Sequence, residues 1–150
     1  MNNQIAVPPV EILLVEDNNG DIVLIKEALF EGKIHNNLSV TKNGIEALEF
    51  LRRSGKYKDA PVPDLILLDM NLPKKNGKEV LAEIKADEKL KVIPVVILTS
   101  SQAEQDVITS YKLNANCYIT KPVDFEHFID VINSIENFWF SIVKLPSMGK

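Results

Sequence analysis

The run LILL at 65–68 stops abruptly at one acid, Asp69, and is followed by a loop marked by Pro73 and Gly77. A short apolar run without polar alternation suits a strand buried on both faces, as in parallel sheets covered by helices on either side. Such a strand delivers its last residue to the carboxyl edge of the sheet, where open α/β sheets bind ligands. The segment 92–98, VIPVVIL, repeats the signature and ends in Thr99, Ser100 and Ser101.

The rest of the chain alternates around these two runs. Residues 11–15, with ILLV at their centre, predict a strand that ends in Glu16, Asp17, Asn18 and Asn19, a cluster of acids and helix-capping residues. Ile22, Ile25 and Leu29, with Val23 and Leu24 beside them, form a helical stripe that stops at Gly32, a typical C-terminal signal. Leu38 and Val40 mark a weaker second strand, and Asn43-Gly44 opens a helix with Ile45, Leu48 and Leu51 on one face. Val80, Leu81 and Ile84 give a third helix, and Ala103, Val107 and Tyr111 a fourth. Residues 117–120 read as a short strand before Lys121-Pro122, and 125–139 as the last helix. Five strands alternating with five helices through short connections predict one α/β domain with a parallel sheet covered on both faces. The expected organisation is a frayed lead-in at 1–9, where Pro8 and Pro9 lack N–H donors, a domain at 10–139, and an extension at 140–150.

Bulk properties narrow the function. A length of 150 residues, 45% of them hydrophobic, suits one globular domain. A net charge of −4 and a pI near 5.2, with no dominant Lys/Arg stripe, argue against a nucleic-acid partner. With a lone cysteine, Cys117, no 18-residue apolar stretch and no charged leader, the expected setting is cytoplasmic, without a membrane partner.

Parallel strands bring their ends together, so Glu16, Asp17, Asp69, Thr99 and Lys121 are expected at one edge. Taken singly, Asp69 reads as a cap or loop acid, Thr99 as an N-cap and Lys121 as a solvated lysine. Together they have a chemical logic. Crowded carboxylates repel, and a bound cation relieves the repulsion. Hard oxygen ligands with no His or Cys nearby favour Mg²⁺, which keeps several waters and accepts phosphate oxygens. A carboxylate facing such a cation, a hydroxyl and an ammonium has what a covalent phosphoryl acceptor needs.

The motifs VEDN at 15–18, DMNLPKKNG at 69–77, ILTSS at 97–101 and YITKP at 118–122, in this order and spacing, resemble the receiver domain of two-component response regulators. The resemblance covers about residues 11–139 and implies a doubly wound, flavodoxin-like (βα)5 fold with strand order 2-1-3-4-5. It implies that Asp69 takes a phosphoryl group from a phosphohistidine on a sensor histidine kinase. Glu16 and Asp17 would hold Mg²⁺ or Mn²⁺ with Asp69, and the backbone carbonyl of Asn71 would be a further ligand. Thr99 matches the hydroxyl that moves toward the phosphoryl group, Lys121 its ion partner, Tyr118 the aromatic that follows the movement, and Lys121-Pro122 a cis bond. Tyr118 equally suits simple core packing. Two positions depart from the common pattern: Glu16 replaces an Asp, which leaves direct or water-mediated contact open, and Asn76 replaces a larger apolar residue.

The last helix carries a core stripe at Phe125, Phe128, Ile129, Ile132 and Ile135, while Val131, Phe138, Trp139, Phe140 and Ile142 spread apolar surface around it. Either the tail folds back over the domain, or this surface makes a homodimer; the latter is the expectation. The segment FWFSIVKLP at 138–146 is similar to the extension of phytochrome-linked, single-domain cyanobacterial response regulators, which implies a light-sensing kinase as partner. The eleven residues beyond Trp139 are too few for an output domain, so output is expected through binding or onward phosphotransfer. Two rivals from other classes remain at this point. A phosphatase or phosphotransferase would turn over small substrates through an aspartyl-phosphate, but would normally want a second acid at the position of Asn71. The other is an interaction module with a vestigial pocket.

Overall fold

The computed structural model describes residues 9–100 and 117–135. Its strands are β1 (Val10–Val15), β2 (Asn36–Thr41), β3 (Leu65–Asp69), β4 (Val95–Thr99) and β5 (Cys117–Thr120). The helices are α1 (Asn19–Glu31), α2 (Gly44–Arg52), α3 (Gly77–Ala86) and α4 (125–135), with one 3-10 turn at Gly55–Tyr57. All strands pair in parallel in the order β2-β1-β3-β4-β5. This is the flavodoxin-like receiver arrangement expected from the motifs. The expected fourth helix, with Ala103, Val107 and Tyr111, lies outside the described residues.

The wholly apolar runs are explained by the two sides of the sheet. Successive residues of a strand point to opposite faces. Leu13, Val15, Ile66, Leu68, Val95 and Ile97 accordingly join one core with α2 and α3 residues, including Leu48, Leu51, Val80, Leu81 and Ile84. Their neighbours Ile12, Leu14, Leu65, Leu67, Val96, Leu98 and Ile119 join a second core with Ile25 and Leu29 of α1 and Phe128 and Ile132 of α4. A polar residue in the middle of β3 would have no solvated face to occupy.

Several local expectations are corrected. The fourth strand begins at Val95, not Val92: Val92 is 75% exposed, and pairing with β3 starts where the Ile66 N–H donates to the Pro94 carbonyl at 3.0 Å. Ile45 faces outward and Ala47 inward, because Gly44 sits so close to the Lys75 carbonyl that the helix face carrying 44, 47, 48 and 51 is turned to the core. Gly32 ends α1 as expected, in right-handed geometry with φ −77°, and the left-handed residue is Lys33, φ 58°. Gly32 must also be small, since a Cβ there would run into Ile129 of α4. Phe125 is 40% exposed, and the buried stripe of α4 is Phe128, Ile132 and Ile135. Val131, assigned above to outward apolar surface, is half-buried and packs against the second core. Phe138, Trp139, Phe140 and Ile142 lie outside the described residues.

Candidate phosphoryl-acceptor and metal site

β1 runs directly into Glu16, whose N–H donates to the Thr41 carbonyl of β2 at 3.0 Å, so the sheet ladder itself fixes the first acid. Asp69 is the last residue of β3 and pairs in register with Leu98 of β4. Thr99 ends β4, and its carbonyl accepts from the Lys121 N–H at 2.7 Å, which sets the start of the loop after β5. The Lys121-Pro122 peptide bond is cis. Glu16, Asp69 and Thr99 are buried, with exposures of 0%, 2% and 0%, whereas Asp17 is open to solvent.

Neighbouring backbone holds the carboxylates in place. The Asn18 N–H donates to Glu16 Oε2 at 3.2 Å, and the Asn71 N–H donates to Asp69 Oδ1 at 3.2 Å. Asn18 also caps α1 by accepting from the Asp21 N–H at 2.9 Å. Behind Asp69, Gly77 presses against the Asp69 carbonyl and Met70, and its N–H donates to the Met70 carbonyl at 3.2 Å. A side chain at Gly77 would force the loop after Asp69 to move. Asn76 makes a capping box with Glu79, so the polar residue that departs from the common pattern starts α3.

The electrostatics are strained toward negative charge. Lys121 Nζ lies 2.8 Å from Glu16 Oε1, 3.1 Å from Asp21 Oδ2 and 3.3 Å from Asp69 Oδ1. Burial raises the Glu16 carboxyl from 4.5 to about 7; the Lys121 ammonium opposes this, and the Asp69 charge adds to it. Burial works against the Lys121 charge, but its bond to Glu16 and the charges of Asp69 and Asp21 outweigh it and hold the ammonium above the ordinary lysine value. Asp21 was not among the residues singled out from sequence. The available signal was its place in the first turn of the helix that follows the acids.

Glu16, Asp17 and Asp69 each offer a carboxylate oxygen, all within 4.8 Å of one another. Glu16 Oε1 is buried, and the Lys121 ammonium faces it at 2.8 Å. An all-oxygen, anionic set of three carboxylates beside one ammonium fits a hard divalent cation such as Mg²⁺ or Mn²⁺. Tyr118 is half-buried against the first core.

The family model for the response regulator receiver domain matches residues 12–133, which include every one of these groups. The chain belongs to the response regulator receiver family. This receiver is 49% identical over 140 residues to response regulator Rcp1 of Synechocystis sp., covering 93% of this chain and 95% of that protein. It is similar to the crystal structure of the phosphorylated cyanobacterial phytochrome response regulator RcpA, with a TM-score of 0.75 and 49% identity over 90% of this chain and 96% of that one. The Mn²⁺-bound form of Rcp1 is equally similar, with a TM-score of 0.74 and 49% identity over 87% and 94% of the two chains. Crystallisation of that relative with Mn²⁺ agrees with the oxygen-rich cluster found in this receiver.

Proposed function

We propose that this receiver stores a phosphoryl group on Asp69, received from a phosphohistidine of a sensor histidine kinase of phytochrome type. The observation that carries the reading is the convergence of Glu16, Asp17 and Asp69 with Lys121 at one sheet edge. An Asp69 carboxylate oxygen attacks phosphorus, the phosphorus–nitrogen bond to the kinase imidazole breaks, and the released imidazole keeps the electron pair and takes a proton. Lys121 is near enough to turn its ammonium from Asp69 Oδ1 to a phosphoryl oxygen, and Thr99 stands at the end of the adjacent strand to supply a hydroxyl. Glu16, Asp17 and Asp69, with the Asn71 carbonyl, would hold Mg²⁺ or Mn²⁺, which neutralises developing charge on the phosphoryl oxygens. Tyr118 would follow Thr99 as the pocket fills and carry the change to the surface. The position two residues after Asp69 holds Asn71, which offers no second acid for rapid hydrolysis, so the reading is a stored signal and not turnover of small phosphoesters.

The phytochrome link rests on the relatives' similarity, and a cytoplasmic setting agrees with the absence, among the described residues, of a helix long and apolar enough to cross a membrane. The proposed organisation keeps the lead-in 1–9, the receiver 10–139 and the extension 140–150. The proposed homodimer uses Phe138, Trp139, Phe140 and Ile142; Val131, half-buried against the second core, leaves that set. A sequence net charge of −4, with no dominant Lys/Arg stripe, favours protein partners over DNA.

Incubation with Mg²⁺ and acetyl phosphate should add one acid-labile phosphoryl group by mass. Asp69→Asn should add none. A wild-type protein that stays unmodified would overturn the proposal.

A further inference from the structure

Lys121 has three carboxylate partners, and they are not equivalent. Glu16 and Asp69 belong to the cluster whose oxygens lie within 4.8 Å of one another and suit a cation; Asp21, 3.1 Å from the ammonium, does not. A divalent cation on Glu16 and Asp69 would meet the ammonium on the same oxygens, and like charges that close repel strongly in a poorly solvated pocket. Lys121 and Asp21 are themselves largely shielded, with side-chain exposures of 18% and 20%. An ammonium driven from both acids without another partner would be left partly desolvated and unpaired.

We propose, resting on the phosphoacceptor reading, that Asp21 is a positioning residue: it holds Lys121 when a divalent cation takes Glu16 and Asp69, and keeps the ammonium within reach of the phosphoryl group. Its location suits the task. Asp21 sits in the first turn of α1, tied by its N–H to the Asn18 side chain, while the Asn18 N–H is tied to Glu16. The standby partner and the first acid of the pocket are therefore fixed to one capping residue. As an acid in the first turn of a helix, Asp21 also interacts favourably with the macrodipole, and the test must separate the two roles.

Mg²⁺ affinity measured by calorimetry in a double-mutant cycle does so. Asp21→Asn should weaken Mg²⁺ binding about fivefold when Lys121 is present, because the ammonium then competes for Glu16 and Asp69. Lys121→Met should tighten Mg²⁺ binding, and adding Asp21→Asn to it should change affinity less than about twofold. Asp21→Glu, which keeps the acid, should return binding close to the wild-type value. An equal loss in both backgrounds would mean that Asp21 acts only through its own field, and would overturn the inference. So would an unchanged affinity in Asp21→Asn, with the phosphoacceptor reading left standing. Failure of the wild type to bind Mg²⁺ would overturn both.

Discussion

Two ion clusters of this receiver use similar contacts in opposite proportion. On the surface between α2 and α3, Glu83 lies between two cations: Arg52 at 3.0 Å and Lys75, which binds its other oxygen. At the sheet edge, Lys121 lies among three anions. The surface acid is satisfied, and its carboxyl is held below the ordinary range, first by the hydrogen bond from Lys75, with Arg52 adding to it. The pocket acid Glu16 is pushed the other way, up to about 7. A balanced, solvated cluster joins two helices and the loop between β3 and α3. An unbalanced, buried one stays receptive to added positive charge, and that imbalance makes it a site.

The largest expected effect comes from removing the single cation of the buried cluster. Lys121→Ala should destabilise the cation-free protein by about 3 kcal/mol, the scale for stripping one partner from a buried pair, and Mg²⁺ should restore part of it. Urea unfolding with chelator and with Mg²⁺ measures both; a loss indifferent to Mg²⁺ would break the contrast. The pH dependence of Glu16 comes next. Between about 4.5 and 7 the folded chain keeps a proton on Glu16 that the unfolded chain has lost, so this group's stabilisation is complete below 4.5, falls as pH rises, and levels off above 7. The slope should approach about 1 kcal/mol per pH unit and disappear in Glu16→Gln, measured as the difference between the two unfolding profiles in chelator. The smallest effect belongs to the surface cluster. Glu83→Gln should cost less than about 1 kcal/mol and leave Mg²⁺ affinity unchanged, because exposed pairs are screened.

The fold was legible because β1, β3 and β4 announce themselves by apolar runs that could be buried only on both sides, and the described helices by cap or stripe. Asp69, Glu16 and Lys121 were legible for the same reason, since parallel strands leave their ends at one edge. Boundaries were less so: Val92 belongs to the apolar run VIPVVIL by composition, yet β4 pairs only from Val95. Gly32 ends α1 where the sequence placed the stop, but its smallness also serves a contact no local pattern shows, with Ile129 almost one hundred residues away. Ile45 and Phe125 fit a helical stripe by spacing, but how far each helix is rotated on the sheet depends on close approaches such as Gly44 to the Lys75 carbonyl.

By itself the sequence determined the alternation of strands and helices, the identity of the acids at the strand ends and the lysine set against them, because these follow from local hydrophobic period and from residue chemistry. Only the tertiary structure decided that Lys121 reaches Asp21 as well as Glu16 and Asp69, and that Glu16 is wholly buried. Distances of about 3 Å between groups 52 to 105 residues apart, such as Lys121 with Asp69 or Glu16, are set by strand register and helix packing, which no local pattern encodes.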